Sequence, residues 1–157
     1  MDFDWSEIGK VIGYIVPLII LFVVNVLFRK QQEQKRRLEA IRSLLSEISY
    51  NQKHMEAFSF QWQTKKFKTG NWKRNKDKMD YIDQNLHATL AGAYEIVEEF
   101  NREIDAAKKH KSVSYLASIQ VDRLEKPLAK SKQGLDEWLQ LNKERKKPVK
   151  EGGDLAS

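Results

Sequence analysis

Residues 11–28 form the longest stretch of the chain without a charged side chain, and this stretch constrains the fold more than any other feature. An α-helix rises about 1.5 Å per residue, so these residues cover about 27 Å as a helix. With residues 8–10 included, the helix matches the ~30 Å hydrocarbon thickness of a bilayer. The sequence therefore predicts a single transmembrane helix at residues 11–28.

A cleaved signal peptide and the buried helix of a soluble protein are the two alternatives to a membrane anchor. A signal peptide starts with basic residues and ends in small residues at its cleavage site. Here the acidic residues Asp2 and Asp4 precede the apolar stretch, and Arg29 follows it directly without an Ala-x-Ala pattern. These flanks favour an uncleaved anchor.

Basic residues are concentrated immediately after the apolar stretch. They are Arg29, Lys30, Lys35, Arg36 and Arg37. Lys and Arg next to a membrane span are retained on the cytoplasmic side. The sequence therefore predicts a single-pass membrane protein with a short outside N-terminus at residues 1–10 and a cytoplasmic helical domain at residues 29–142.

Four residues in or beside the span are candidates for packing against another transmembrane helix. Gly9, Gly13 and Pro17 recur every four residues and share one helix face, where a partner helix can approach closely. Asn25 is the strongly polar side chain of the stretch and is able to hydrogen-bond a second helix. The alternative is that Gly and Pro are simply common in membrane helices and that water at the interface solvates Asn25.

Beyond the anchor, apolar residues recur at steps of three and four, which is the heptad-like pattern of helices that pack on other helices. The first such stripe consists of Leu38, Ile41, Leu45, Ile48, Gln52, Met55, Ser59 and Trp62. Similar stripes follow it, and they predict cytoplasmic helices at about residues 31–63, 77–110 and 112–141.

Capping residues and helix-breaking residues refine the predicted ends of these helices. Asp77 is the expected cap of the second helix. Pro127 and Gly134 predict a break in the third helix near residues 127–134. Residues 143–157 are almost devoid of large apolar side chains and predict a disordered tail.

The predicted fold is all-α, with the transmembrane helix followed by a cytoplasmic helical bundle or a long antiparallel helical hairpin. Only 7 Gly and 3 Pro occur among the 157 residues, which argues against the many turns of a β fold. Residues 29–78 hold 14 basic and 5 acidic side chains, whereas residues 79–107 hold 1 basic and 7 acidic ones. We therefore expect these two regions to lie side by side.

The most basic short stretch, residues 65–78, combines cations with two aromatic residues. Its candidates for contact with an anionic partner are Lys65, Lys66, Phe67, Lys68, Trp72, Lys73, Arg74, Lys76 and Lys78. Cations neutralise phosphates and aromatic rings stack on bases, which suits single-stranded nucleic acid or anionic lipid headgroups. An acidic protein partner is a further alternative, and so is a solvated loop that only connects two helices. For Trp72, packing within the domain is favoured over contact with a ligand.

No catalytic, cofactor or metal site is predicted. The chain has no cysteine, which removes thiolate nucleophiles and Cys-ligated zinc. His54, His87 and His110 are far apart in the sequence, and none follows a Glu by three residues as in di-iron helical proteins. A P-loop, His-Glu-x-x-His and Gly-x-Ser-x-Gly are also absent from the sequence.

These features predict a membrane-anchored helical interaction module, or an accessory or scaffold subunit of a membrane-associated assembly, without catalytic activity. The expected partners are the lipid bilayer and either another protein or a second copy of the chain, bound through the apolar helix stripes. The alternative is a membrane-tethered binder of nucleic acid or anionic lipid through residues 65–78.

Overall fold

The computed structural model describes residues 5–61 and 65–144. All regular structure in these two ranges is helical, which confirms the all-α class for this part of the chain. The elements are α1 (Trp5–Gln61), α2 (Gly70–Asn75), a first 3₁₀ turn (Lys76–Lys78), α3 (Gln84–His110), α4 (Val113–Ser118), a second 3₁₀ turn (Val121–Leu124) and α5 (Glu125–Glu144). The chain divides into two compact units, Met1–Leu38 and Glu39–Ser157.

The N-terminal unit contains the apolar part of α1. Between Ile15 and Phe28, eleven large apolar side chains are 46–71% exposed, and Val26 is half-buried. Pro17 lies inside α1 without ending it. Among the described residues, α1 is the one helix that is long and apolar enough to cross a membrane, as judged by length and composition. Residues 1–4 of the predicted outside segment lie beyond the described ranges.

In the second unit, the remainder of α1 buries Ile41, Ile48 and Met55 of the predicted stripe, but at two of its positions the preceding residue is buried instead. Leu44 and Asn51 are fully buried, whereas Leu45 and Gln52, which the heptad pattern placed on the stripe, are only half-buried. Hydrogen bonds to the side chain of Asn51 explain this difference, because they allow a polar residue to lie in the core.

α3 begins at Gln84 rather than at the predicted residue 77. The side chain of Asp83 caps it by accepting a hydrogen bond of 2.9 Å from the backbone N–H of Leu86. The predicted cap, Asp77, lies instead in the first 3₁₀ turn. At the other end, the C-cap residue Lys111 adopts a left-handed conformation with φ of 51°.

The predicted break near residues 127–134 lies instead at Ile119 and Gln120, between α4 and the second 3₁₀ turn. Pro127 falls in the first turn of α5, where a missing N–H removes no intrahelical hydrogen bond. Gly134 lies inside α5, where a Cβ would be 2.5 Å from Cδ1 of Leu86 on α3. α5 ends at Glu144, so residues 145–157 of the predicted tail lie beyond the described ranges.

α3 contributes to one apolar core together with α1 and α5. Its buried residues are Leu86, Leu90, Ala93, Tyr94, Val97, Phe100, Ile104 and Ala107. The core also contains Ile41 and Ile48 from α1, and Leu128 and Leu135 from α5. This shared core orients the polar side chains of α1 and α3 that hold residues 65–72.

Candidate functional site

Residues 65–72, here called the crossing segment, lie against polar side chains of α1 and α3. On α1, the contacting residues are Glu47, Asn51 and His54, which recur at steps of four and three and therefore share a helix face. The contacts run in reverse order along the two elements, with His54 at residue 65 and Glu47 at residues 71 and 72. The crossing segment is therefore antiparallel to α1.

Two asparagines bind the backbone of consecutive residues in the crossing segment. Oδ1 of Asn101 on α3 accepts from the N–H of Phe67 at 2.8 Å, and its Nδ2 donates to the carbonyl of Phe67 at 3.0 Å. Asn51 on α1 makes the same pair of hydrogen bonds with Lys68, both at 2.8 Å. Each side-chain amide thus satisfies both backbone polar groups of one residue, as a neighbouring β-strand does.

His54 binds the start of the crossing segment. Its Nε2 donates to the carbonyl of Lys65 at 2.6 Å. The imidazole is almost fully buried and packs edge-on against the ring of Phe67, with ring centroids 4.8 Å apart. His54 therefore has a packing and hydrogen-bonding role in the core.

Glu47 binds the end of the crossing segment at the start of α2. Its Oε2 accepts from the N–H of Asn71 at 2.7 Å, and its Oε1 accepts from the N–H of Trp72 at 3.1 Å. These N–H groups belong to the first turn of α2, where the helix itself provides no acceptor. A carboxylate is favourable at this end of a helix, so Glu47 supplies the cap that α2 lacks locally.

Tyr94 on α3 completes the environment of Glu47. Its hydroxyl donates to Oε1 of Glu47 at 2.9 Å, and its ring stacks on Trp72 with centroids 5.0 Å apart and an interplanar angle of 6°. Burial, followed by the negative charge and hydrogen bond of Glu47, raises the pKa of Tyr94 far above its usual range. The phenol therefore stays protonated and keeps donating to the carboxylate.

Two of the residues predicted to contact an anionic partner are core residues. Phe67 is 3% exposed and Trp72 is 6% exposed. Stacking on a nucleic-acid base requires an accessible ring face, and this degree of burial leaves neither ring with one. Both aromatics therefore pack in the core, as the sequence favoured for Trp72, and the crossing segment is a packed element rather than a solvated loop.

Three predicted cations of this region contact other residues of the same chain. Nζ of Lys66 lies 2.5 Å from Asp105, and Nζ of Lys73 lies 3.3 Å from Glu98, so both pair with acidic residues of α3. Nζ of Lys68 lies 3.8 Å from the centre of the Tyr50 ring on α1. The predicted complementarity between the basic and acidic regions thus appears as two ion pairs between residues 65–78 and α3.

The remaining predicted cations of residues 65–78 are exposed: Lys65, Arg74, Lys76 and Lys78. Nζ of Lys65 lies 5.6 Å from the centre of the Tyr50 ring. Arg74, Lys76 and Lys78 form no ion pair within the described part of the chain. The carbonyl of Lys76 accepts a hydrogen bond of 3.0 Å from Nε2 of His87, which connects this region to α3.

The residues predicted at the membrane lie on α1. Arg29, Lys30, Lys35 and Arg36 are exposed, and Arg37 forms an ion pair with Glu33 one turn earlier. Among the predicted transmembrane packing residues, Gly9, Gly13, Pro17 and Asn25 all fall within α1. The side chain of Asn25 is exposed, and the neighbouring side chains of α1 are apolar.

No group of three or more His, Asp or Glu side chains able to hold a metal occurs within residues 5–61 and 65–144. The sequence patterns also did not identify the residues that bind the crossing segment. By residue type, these residues resemble any polar residue on a helix surface: Glu47, Asn51 and Asn101. Only their position beside the apolar stripe distinguishes them from other surface residues. Glu47 lies next to Ile48, and Asn51 continues the spacing of three and four from Leu44 and Ile48.

No protein-family model, no curated protein and no solved structure matches this chain.

Proposed function

We propose that this chain is a membrane-anchored helical interaction module, or an accessory subunit of a membrane-associated assembly. The anchor is residues 11–28 in α1, and residues 39–144 form a helical bundle on the cytoplasmic side. The observation that carries the proposal is the exposure of the large apolar side chains between Ile15 and Phe28, eleven of which are exposed. Lipid removes such a surface from water without any protein partner.

The orientation of the anchor is supported by the exposed basic residues that follow it. Four exposed basic residues follow the apolar stretch: Arg29, Lys30, Lys35 and Arg36. Before the stretch, the sequence has a single basic residue, Lys10. Retention of Lys and Arg in the cytoplasm then leaves residues 1–10 outside. The anchor confines the domain to the membrane plane, which raises its effective concentration toward other membrane-bound partners.

Labelling of single cysteines tests this topology, because the chain has no cysteine of its own. In sealed vesicles of the cell membrane, Asp2→Cys is expected to react with an impermeant maleimide added from outside. Lys53→Cys, an exposed position of α1, is expected to react only after the membrane is opened. Release of the chain by alkaline carbonate, or reaction of both cysteines from the same side, would contradict the proposed anchor.

A second candidate function, binding of an anionic partner, is favoured by the exposed cations Arg74, Lys76 and Lys78. Binding through cations releases counterions, so it weakens steeply as salt concentration rises. The test replaces these three residues by Gln and compares retention on anionic vesicles and on single-stranded RNA at low and moderate salt. Lys108, Lys109 and Lys111 at the end of α3 provide a matched control triple. Equal retention of both triple variants and the unmodified chain would argue against this candidate.

A further inference from the structure

Asn25 is the strongly polar side chain in the apolar part of α1. It is exposed, and its amide has no hydrogen-bond partner within the described part of the chain. Leu21 and Phe28, about one turn away on either side, are 66% and 68% exposed. In the proposed anchor these apolar side chains face lipid, and lipid offers an amide no hydrogen-bonding group. Two partners then remain for Asn25, namely water at the membrane surface and a second helix.

The depth and direction of Asn25 favour the second helix. Three apolar residues, 26–28, separate Asn25 from the first cation after it, Arg29. At about 1.5 Å per residue, Asn25 lies about 8 Å from the middle of residues 11–28, which is inside the ~15 Å half-thickness of the hydrocarbon. The Cα–Cβ bonds of a helix tilt toward its N-terminus, which is the outer end of the proposed anchor. The short side chain therefore points toward the middle of the bilayer and away from water on the cytoplasmic side.

Asn25 belongs to a row of strongly exposed side chains on one face of α1. Its members follow steps of three and four, and they are Leu18, Leu21, Asn25 and Phe28. The three apolar members are 64–68% exposed, and this spacing is the seam pattern of helices that wind around each other. Arg29 lies at the edge of the row, where its long side chain is able to reach the headgroups. The row continues to the exposed Gln32 and ends before Lys35, whose charge would repel an identical helix.

The chemistry of Asn25 identifies a second copy of this chain as the partner helix. A carboxamide carries both a donor and an acceptor, so the amide of Asn25 is complementary to an identical amide. Two copies in one bilayer have the same orientation, and a two-fold axis along the membrane normal places both Asn25 side chains at the same depth. A single Asn at a seam position fixes the register of parallel helices in coiled coils. Gln32, seven residues later, adds a second amide at the equivalent position of the row.

We propose that two copies of this chain pair through the anchor as parallel helices in register, with Asn25 bonded to Asn25 of the partner subunit inside the bilayer. The Nδ2 of each amide donates to the Oδ1 of the other, and the apolar members of the row pack around this contact. The pairing rests on the proposed function, because it requires the anchor to lie in a membrane. Both copies enter the bilayer from the same side, so the pairing agrees with the proposed orientation.

Substitutions of Asn25 in the full-length chain, reconstituted in lipid vesicles, test the amide contact. Energy transfer between copies labelled at Lys53→Cys measures the dimer at a series of protein-to-lipid ratios. Asn25→Leu is expected to weaken the dimer about tenfold, because it removes both the donor and the acceptor. Asn25→Gln keeps both groups and is expected to pair within about threefold of the unmodified chain. Equal pairing of the Leu and Gln variants would show that the amide does not hold the two copies together.

Two leucines of similar exposure form a matched pair that locates the contact. Leu21 lies on the row, whereas Leu27 is two residues from Asn25 and does not share its face. Leu21→Ala is therefore expected to weaken the dimer severalfold, and Leu27→Ala is expected to leave it unchanged. Under a mild oxidant, Phe28→Cys is expected to form a disulfide between copies and Leu27→Cys is not, and the chain has no other cysteine to compete.

Several outcomes would overturn the pairing. One is a single-chain mass at every protein-to-lipid ratio, and another is a dimer that Asn25→Leu and Leu21→Ala both leave intact. A single copy bound to a different membrane protein would also refute a second copy as the partner. Extraction with alkaline carbonate distinguishes these failures from failure of the anchor. A chain that stays in the membrane as a monomer refutes the pairing alone, whereas a chain that carbonate releases refutes the proposed function.

Discussion

Glu47 on α1 and Tyr94 on α3 are joined by a buried hydrogen bond of 2.9 Å, in which the phenol donates to the carboxylate. The same carboxylate accepts from the first-turn N–H groups of Asn71 and Trp72 in α2. One side chain therefore connects three helices. Because a buried carboxylate without partners is strongly unfavourable, the position of α2 depends on these three hydrogen bonds.

Replacement of Glu47 by Gln is expected to destabilise the domain by about 2 kcal/mol, since hydrogen bonds to charged groups contribute about 1.5–3 kcal/mol. The side-chain amide has one acceptor oxygen and one NH₂ group, so either orientation places a donor against the backbone N–H of Asn71 or of Trp72. Urea unfolding followed by near-UV circular dichroism measures the change. Glu39→Gln, at an exposed position of α1, is the control and is expected to change stability by less than about 0.5 kcal/mol.

The raised pKa of Tyr94 makes stability depend on pH in the alkaline range. The folded state keeps the phenol protonated, whereas in the unfolded chain Tyr94 ionises near its ordinary pKa of 10.0. Below this pH both states hold the proton, and the stabilisation is fully present. Above it the unfolded state loses the proton, so the free energy of unfolding falls by up to about 1.4 kcal/mol per pH unit as the pH rises.

Tyr94→Phe is expected to reduce this alkaline slope between pH 10 and pH 11.5, because the variant has no phenol to ionise at this position. Lysines also titrate in this range, so the informative quantity is the difference in slope between variant and unmodified chain. Tyr115→Phe is the matched control, since Tyr115 is 44% exposed and its removal is expected to leave the slope unchanged. Equal slopes for all three chains would show that Tyr94 is not held neutral by its surroundings.

The apolar spacing predicted the helices of this chain better than it predicted their packing. It placed Ile41 and Ile48 on the buried face of α1 and ended the second helix at residue 110, as the structure has it. The apolar spacing placed Gln52, and not Asn51, on the buried face of α1. The two side chains are both amides, so only a contact with residues distant in sequence distinguishes them. Phe67 and Trp72 were candidates for contact with an anionic partner because lysines surround them in the sequence. Only the hydrogen bonds of Asn101 and Glu47 with the backbone show that this segment lies between α1 and α3.

A direct comparison of Asn51 and Gln52 tests this account of the α1 stripe. Asn51→Ala leaves the part-buried N–H and carbonyl of Lys68 without their partner and is expected to cost about 2 kcal/mol in unfolding free energy. Gln52→Ala, at the position that the heptad pattern favoured, is expected to cost less than about 0.5 kcal/mol. Urea unfolding of both variants measures the difference, and a larger effect at Gln52 would place the stripe back in its predicted register.

Gly92 and Gly134 form a matched pair that tests how closely α3 and α5 approach. Substitution of Gly by Ala inside a helix gains about 1 kcal/mol from helix propensity at either site. At Gly92 the new methyl group enters open space, so Gly92→Ala is expected to realise this gain. At Gly134 the methyl group would lie 2.5 Å from Cδ1 of Leu86, and Leu86 must move. Gly134→Ala is therefore expected to be less stable than Gly92→Ala by at least about 1 kcal/mol in thermal or urea unfolding. Equal stabilisation by the two substitutions would mean that α5 does not rely on Gly134 to pack against α3.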